Sequence, residues 1–450
     1  RTDGRPLTGI SIDTRTLEPG DLFVALKDQR DGHAFVAKAF EAGAAAALVS
    51  EGYEAKPGDG PLIRVSDTLA ALEAIGRAAR ARLADDARVI AVTGSAGKTG
   101  TKDMLRAALS RVGATHAADR SFNNHWGVPL TLARMPADTR FGVFEIGMNH
   151  AGEITPLSRL VRPHIAIVTT VEPVHLAAFP SVEAIAEAKA EIFAGVEPGG
   201  TAIINRDNPH FEILRRHAEA AGARVVSFGQ DARADVRPKV LELSSEGTIM
   251  EVALGGREVH VRVAVPGIHI ARNALAVAAA IDAVGAAVEP ALEALATLDP
   301  PPGRGTRTEL AVRGGRILLI DESYNANPAS MRAALAVLGT VPRDAFRRRI
   351  AVLGDMLELG EQERTHHVAL KEAVDAAGTD LVFASGPNMA HLFAALDPGK
   401  QGVWAPSAEE LREPLLTTLS PGDVVMIKGS NASRMGPLAE ALRGALDAAG

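Results

Sequence analysis

The run Thr93-Gly94-Ser95-Ala96-Gly97-Lys98-Thr99 follows an apolar stretch, residues 88–92, and precedes Met104, Leu105, Ala108 and Leu109 at helical spacing. No other feature constrains the chain as much. A strand that ends in a glycine-rich turn and opens a helix gathers several backbone N–H groups round one point, and the helix N-terminus adds positive potential. Phosphate oxygens fit such a cradle: Lys98 is placed to reach terminal phosphates, and the Thr99 hydroxyl suits a magnesium ion. Thr93, Gly94, Ser95, Ala96, Gly97 and Gly100 complete the loop. Its G-x-x-G-K-T spacing is shorter than the common G-x-x-x-x-G-K-[ST], because Val92 stands where a first glycine would be. A glycine-rich turn with a solvated lysine is the plainer alternative. The motif alone does not separate kinase, ATPase and ligase.

At 450 residues the chain is too long for one ordinary core and predicts two to four domains. Hydrophobic residues make up 46% and charged residues 23%, a soluble globular balance, and the 4% of aromatics leaves the cores to Ala, Val, Leu and Ile. A net charge of -7, from 48 basic and 55 acidic residues, offers no general footprint for nucleic acid. The absence of cysteine excludes disulfides and thiolate metal sites. No apolar run reaches the roughly 18 residues of a membrane span, so no membrane partner is expected. No signal peptide is visible; because Arg1 is not an initiator methionine, a short leading segment is expected to be missing. Cytoplasm is the expected location.

The expected fold class is α/β in three domains. Residues 1–84 read as a small N-terminal α/β unit, with strands at 9–12, 22–26 and 45–49 and helices at 34–42 and 65–83. Residues 85–299 read as a central phosphate-loop domain: apolar strands at 88–92, 142–146, 165–169 and 200–204 alternate with helices, which argues for a largely parallel sheet covered on both faces. Within it, residues 236–265 read as short alternating strands with a turn at Gly255-Gly256, followed by a buried Ala-rich helix at 273–284. The proline run Asp299-Pro300-Pro301-Pro302-Gly303 is the clearest linker. Beyond it, residues 300–450 alternate again, with strands at 317–320, 350–353, 381–384 and 424–427, as a Rossmann-like unit.

Several polar residues stand at strand ends. Glu145 ends the strand beside the phosphate loop and could hold a metal ion or simply face solvent. His175 lies past the next strand and taken alone reads as a loop or core histidine. Lys189, flanked by Glu187 and Glu191, reads as a salt-bridged surface lysine. Asn123 and Asn124 form a polar loop that suits a sugar or phosphate, or ordinary turn chemistry. Asp321 ends a strand and is followed by Ser323, Tyr324, Asn325 and Asn327, an unusually polar run that favours a ligand site.

These motifs occur in an order that resembles one known family. In the N-terminal half they are Ser11-Ile12-Asp13-Thr14-Arg15, Asp31-Gly32-His33, the phosphate loop, Asn123-Asn124-His125-Trp126-Gly127 and Glu145-Ile146-Gly147-Met148-Asn149-His150, then His175 and Lys189. In the C-terminal half they are Asn273-Ala274-Leu275-Ala276, Gly303-Arg304-Gly305, Ser323-Tyr324-Asn325-Ala326-Asn327-Pro328, Leu353-Gly354-Asp355-Met356 and Lys428-Gly429-Ser430 with Arg434-Met435. Along essentially its whole length the chain resembles the Mur ligases. It is most similar to the branch that adds D-alanyl-D-alanine to UDP-N-acetylmuramoyl-tripeptide. The short phosphate loop is shared with folylpolyglutamate synthases, whereas the S-Y-N-A-N-P, L-G-D-M and K-G-S strings point to this branch.

The resemblance implies ATP and Mg2+ as cofactors, the tripeptide nucleotide and D-alanyl-D-alanine as small-molecule partners, and a monomer. It implies that Thr99, Glu145 and His175 hold magnesium, and that Lys189 is carbamylated into a further metal-orienting group. These residues and Lys98 would form the catalytic set. It implies that Asn273, Arg304 and Asp321 hold adenine, phosphates and ribose. Ser11, Asp13, Thr14 and Arg15 would line the UDP end, and Asn123, Asn124, Tyr324, Asn325 and Asn327 would contact substrate. Two departures stand out: Ile270 follows His269 where the family often has asparagine, and the first domain lacks a leading helix. The alternatives are another Mur-type or folylpolyglutamate-type amide ligase, against which S-Y-N-A-N-P argues, and a non-catalytic nucleotide-binding homologue, against which Lys98, Glu145, His175 and Lys189 argue. With the phosphate loop and Asp321 in different domains, the site is expected in a cleft that closes about residues 300–303.

Overall fold

Continuous apolar runs four to six residues long, with no polar alternation, can be buried only where both faces of a strand are covered. The computed structural model, which describes residues 6–28, 30–174, 176 and 178–447, places these runs in three parallel or mainly parallel sheets. The first holds Gly9–Ser11, Asp21–Val24, Ala46–Ser50 and Leu62–Val65 in that order, all parallel.

Its last strand corrects the expected helix at 65–83. Residues 62–65 pair with Ala46–Ser50, and the helix is Thr68–Ala81. Asp67 starts that helix by accepting hydrogen bonds from the Leu69 and Ala70 N–H groups, satisfying donors that have no partner within the helix. The expected helix at 34–42 is a 3-10 turn, Gly32–Phe35, running into the helix Val36–Glu41.

The central sheet has six parallel strands in the order Arg224–Phe228, Thr201–Asn205, Ile165–Val168, Arg88–Thr93, Phe141–Glu145 and Thr115–Ala117. The phosphate-loop strand Arg88–Thr93 lies inside it, so that loop emerges among the loops of its neighbours. Helices Lys98–Ser110 and Ile268–Ala283 cover one face, and Ile154–Val161, Val182–Ala190 and Phe211–Ala220 contribute to the core on the other. A three-stranded antiparallel sheet, Arg237–Ser244, Gly247–Leu254 and Arg257–Val263, packs onto the first core. There Val259, Val261 and Val263 are buried while Glu258, His260 and Arg262 face out, the period of a half-covered strand. Its hairpin turns at Gly255 and Gly256, whose φ of 57° and 81° is the left-handed pair that glycine permits.

The last sheet runs Thr306–Val312, Gly315–Glu322, Asp423–Lys428, Arg348–Gly354, Leu381–Ser385 and Gln401–Ala405, with only the first strand antiparallel. Thr306–Val312 and Gln401–Ala405 add to the four strands read from sequence. Among the described residues no helix is long and apolar enough to cross a membrane.

Candidate active site

The phosphate loop is held in shape by its neighbours. Gly94 has φ 151°, and a Cβ there would lie 1.9 Å from the Thr169 hydroxyl; Gly97 has φ 81°, and a Cβ there would meet the Asn273 side chain at 2.7 Å. Both glycines are therefore required by backbone conformation and by space. Thr169 donates to the Ala96 carbonyl at 2.5 Å, the Ser95 N–H donates to the Thr170 carbonyl at 2.9 Å, and the Ser95 hydroxyl donates to the Glu172 carbonyl at 3.1 Å. Thr93 is buried beneath the loop, and Gly100 sits in the first turn of helix Lys98–Ser110 beside Asn273.

Lys98 folds over the loop and donates to the Gly94 carbonyl at 2.7 Å. Desolvation pushes its pKa below the usual lysine value and Arg304 adds repulsion, against the attraction of Glu145. Glu145, at the end of its strand, accepts from the Thr99 hydroxyl at 2.8 Å through one oxygen and from the Asn123 amide at 2.7 Å through the other. Ser121 adds a hydroxyl 2.9 Å from that of Thr99. These oxygens beside a phosphate cradle suit a magnesium ion, which takes one or two carboxylates and completes its shell with water and phosphate. Among the described residues no three His, Asp or Glu side chains converge as a preformed metal cage. His175 lies outside the described residues.

Lys189 is not the surface lysine that its acidic flanks suggested. It is 2% exposed, no hydrogen bond or ion pair holds its amine among the described residues, and burial with the nearby Lys98 charge drives its pKa well below the ordinary value. A lysine amine depressed in this way is neutral, and so nucleophilic, over more of the pH range than an exposed one.

A cleft of about 1560 Å³ opens from this loop to the C-terminal unit. Its walls include Ser95 to Gly100, Asn123, Asn124, Glu145 and Asn273 from the central unit, and Arg304, Tyr324, Asn325 and Asn327 from beyond the linker. The side-chain oxygens of three asparagines are already engaged: Asn124 accepts from the Gly127 N–H, Asn325 from the Ala326 N–H, and Asn327 from the Ser330 N–H. The last of these caps helix Pro328–Thr340 in a reciprocal capping box.

Asp321 does not line this cleft. It is buried, accepts from the Ser323 N–H and hydroxyl, and pairs with Arg443. The stretch from Ser11 to Arg15 also lies away from it. There Arg15 pairs with Asp13 at 2.6 Å and holds that carboxyl below its usual pKa, helped by the charge of Arg120. Ser11 is buried and its hydroxyl donates to the Asp13 carbonyl, while Thr14 is partly exposed in the following turn.

Sequence reading passed over three cleft residues as site groups. Lys428 is buried, donates to the Asn325 carbonyl at 2.9 Å and approaches Glu322 at 3.4 Å; parallel pairing sets the two residues side by side. His269 is partly buried with an enclosed, unpartnered Nδ1, and desolvation lowers its pKa. More than a hundred residues separate Glu322 from Lys428, so only the sheet register joins them.

Family models cover the chain in order: the Mur ligase family catalytic domain over residues 6–112, the Mur ligase middle domain over 92–281, and the Mur ligase glutamate ligase domain over 306–431. The UDP-N-acetylmuramoyl-tripeptide--D-alanyl-D-alanine ligase of Escherichia coli (strain K12) is 37% identical over 439 residues, covering 97% of this chain and 94% of its own. That of Bacillus subtilis (strain 168) is 36% identical, with coverages of 95% and 91%. A crystal structure of MurF from Acinetobacter baumannii superposes with a TM-score of 0.84 at 30% identity, over 97% of this chain and 94% of that one. MurF ligase from Thermotoga maritima in complex with ADP gives 0.81 at 25% identity, over 99% of both chains. With the phosphate loop, the cleft and all four sheets accounted for along its length, the chain belongs to the Mur ligase family.

Proposed function

We propose that this chain joins D-alanyl-D-alanine to UDP-N-acetylmuramoyl-tripeptide at the expense of ATP, giving UDP-N-acetylmuramoyl-pentapeptide, ADP and phosphate for peptidoglycan synthesis. The observation that carries this reading is likeness over nearly the full length to ligases named for that reaction, with the phosphate loop facing the S-Y-N-A-N-P loop across one cleft. It acts as a monomer in the cytoplasm, and its units are bounded near residues 84 and 299.

In the first step a carboxylate oxygen of the tripeptide attacks the γ-phosphorus; the bond to the ADP oxygen breaks as the new P–O bond forms. In the second, the dipeptide's neutral amine attacks the acyl carbon, and phosphate departs with its electron pair as the amine loses its proton. Lys98 and the loop N–H groups orient the phosphates and offset charge as it spreads over the transferred group. Thr99, Glu145 and His175, with Lys189 as its carbamate, would hold magnesium, which supplies further charge neutralisation. Asn273 beneath the loop and Arg304 across from it would fix the nucleotide, with Asp321 shaping the ribose side from behind. The stretch from Ser11 to Arg15 would take the uridine end, and the cleft asparagines and Tyr324 the peptide.

Phosphate release measured with each amine acceptor in turn tests this. Release should require both the tripeptide nucleotide and D-alanyl-D-alanine, and Lys98→Ala should lower it about a thousandfold. Release that is equally fast with glutamate or with a single amino acid defeats the assignment.

A further inference from the structure

The linker is stitched to the C-terminal unit from Pro301 onward: the Pro301 carbonyl accepts from the Thr306 hydroxyl at 3.3 Å. The Tyr324 N–H donates to the Gly303 carbonyl at 3.0 Å, the Gly305 N–H donates to the Asp321 carbonyl at 2.8 Å, and Thr306 then pairs with Asp321 in the sheet. Gly303 has φ 72°, and a Cβ there would stand 3.0 Å from the Tyr324 nitrogen, so the two segments touch backbone to backbone. Between these bonds Arg304 projects into the cleft, its guanidinium carbon 3.9 Å from the centre of the Tyr324 ring.

Arg304 makes no side-chain hydrogen bond and no ion pair among the described residues, which is unusual for five donors at a cleft wall. It also stands close enough to Lys98 and Lys428 to oppose their positive charge. Three cations facing one space repel, and a flexible arginine would swing out into water. A carboxylate could hold it, but would cancel the charge and compete with an anionic ligand. The face of an aromatic ring attracts the cation and leaves its donors free.

We propose that Tyr324 is a positioning residue that holds Arg304 over the cleft as an uncompensated cation, so that closure of the C-terminal unit delivers Arg304 and the S-Y-N-A-N-P loop together onto the phosphoryl group in transfer. This rests on the ligase reading above. The pivot then lies at or before Pro301, and activation of the carboxylate is tied to arrival of the loop that faces the acceptor.

The test uses the full chain with Tyr324→Leu and Tyr324→Phe. Tyr324 is 40% exposed, so neither change opens a buried cavity; Tyr324→Met replaces Tyr324→Leu if that variant fails to give a cooperative melt. Steady-state phosphate release gives kcat and each KM, and calorimetry gives affinity for ADP with and without aluminium fluoride. Tyr324→Leu should lower kcat roughly tenfold and weaken the ADP–aluminium fluoride complex to a similar degree, with ADP affinity held within about twofold. Tyr324→Phe should recover most of both losses. Tyr324→Leu at the wild-type rate, Tyr324→Phe as impaired as Tyr324→Leu, or a loss confined to the dipeptide KM each overturns the proposal. If the wild-type chain shows no turnover, the ligase reading fails, and the calorimetric contrast between Leu and Phe still decides the role of Tyr324.

Discussion

Where the N-terminal unit meets the central one, helix Thr68–Ala81 lies on helix Gly127–Ala133, with Gly76 close enough that a Cβ would sit 3.1 Å from Leu132. Leu130 of the central unit is part of the same apolar cluster as Ile10, Leu22, Leu48 and Leu72. Arg134 donates to the Ile10 carbonyl at 2.9 Å, and Arg80 donates to the carbonyls of Val161 and Arg162 at 3.0 and 2.8 Å. Where the central unit meets the C-terminal one, no buried cluster is shared among the described residues. The contact there includes the linker, an Arg307 bond to the Ser245 carbonyl, the approaches of Gly267 to Val337 and of Gly305 to Val265, and the polar cleft. Burial of apolar area fixes one domain on another, whereas a polar, open contact leaves relative motion as the default. The first junction is thus part of a core, and the second is the one expected to open and close.

The largest expected effect lies in the dry junction. Leu130→Ala should cost about 2–4 kcal/mol, through lost burial and the cavity left behind. It should also split denaturant unfolding into two transitions followed by separate probes. A single unshifted transition would show that Leu130 is not a shared core residue.

A smaller effect is expected from pH at the same place. His164 accepts from the Val89 N–H, and burial with Arg80 and Arg88 nearby lowers its pKa to about 4. Unfolded, it titrates near about 6.5, so between these values the unfolded chain binds the extra proton. Its contribution is complete above about pH 6.5 and shrinks as pH falls toward 4. The loss should be on the order of 1 kcal/mol at about pH 5, allowing for solvent screening of a half-exposed ring. His164→Asn, which keeps an acceptor for Val89, should flatten that slope of stability against pH, and an unchanged slope would point to another group.

The smallest effect belongs to the open junction. Pro301→Gly should change stability by no more than about 1 kcal/mol. Small-angle scattering should show compaction of the wild-type chain with an ATP analogue and both substrates. Equal profiles with and without ligands would contradict a moving C-terminal unit.

What could be read from residues follows the same physics. The apolar runs at 88–92, 165–169 and 424–427 declared their strands because central parallel strands are buried on both faces. Residues 62–65 did not: the strand is short and only partly buried, and an Ala-rich helix follows at once. Asp67, a strong helix N-cap, was the available signal. The strand Thr306–Val312 is masked by the alternation of strand and helix around it, although Gly314-Gly315 marks a hairpin much as Gly255-Gly256 does. The phosphate loop and Glu145 were legible because strand, turn and carboxylate are local features. The burial of Lys189 was not, since the acidic neighbours on its helix point elsewhere.

The capped asparagines of the cleft have a consequence for what the enzyme can hold. Each oxygen of Asn124, Asn325 and Asn327 already accepts one backbone N–H, which turns the amide so that its hydrogens stay available to a ligand. The wall is therefore mixed in sign. Lys98, Arg304 and these amide hydrogens can meet carbonyl, carboxylate or phosphate oxygens, while Glu145, Glu172 and Glu322 on the same lining leave acceptors for an incoming amine.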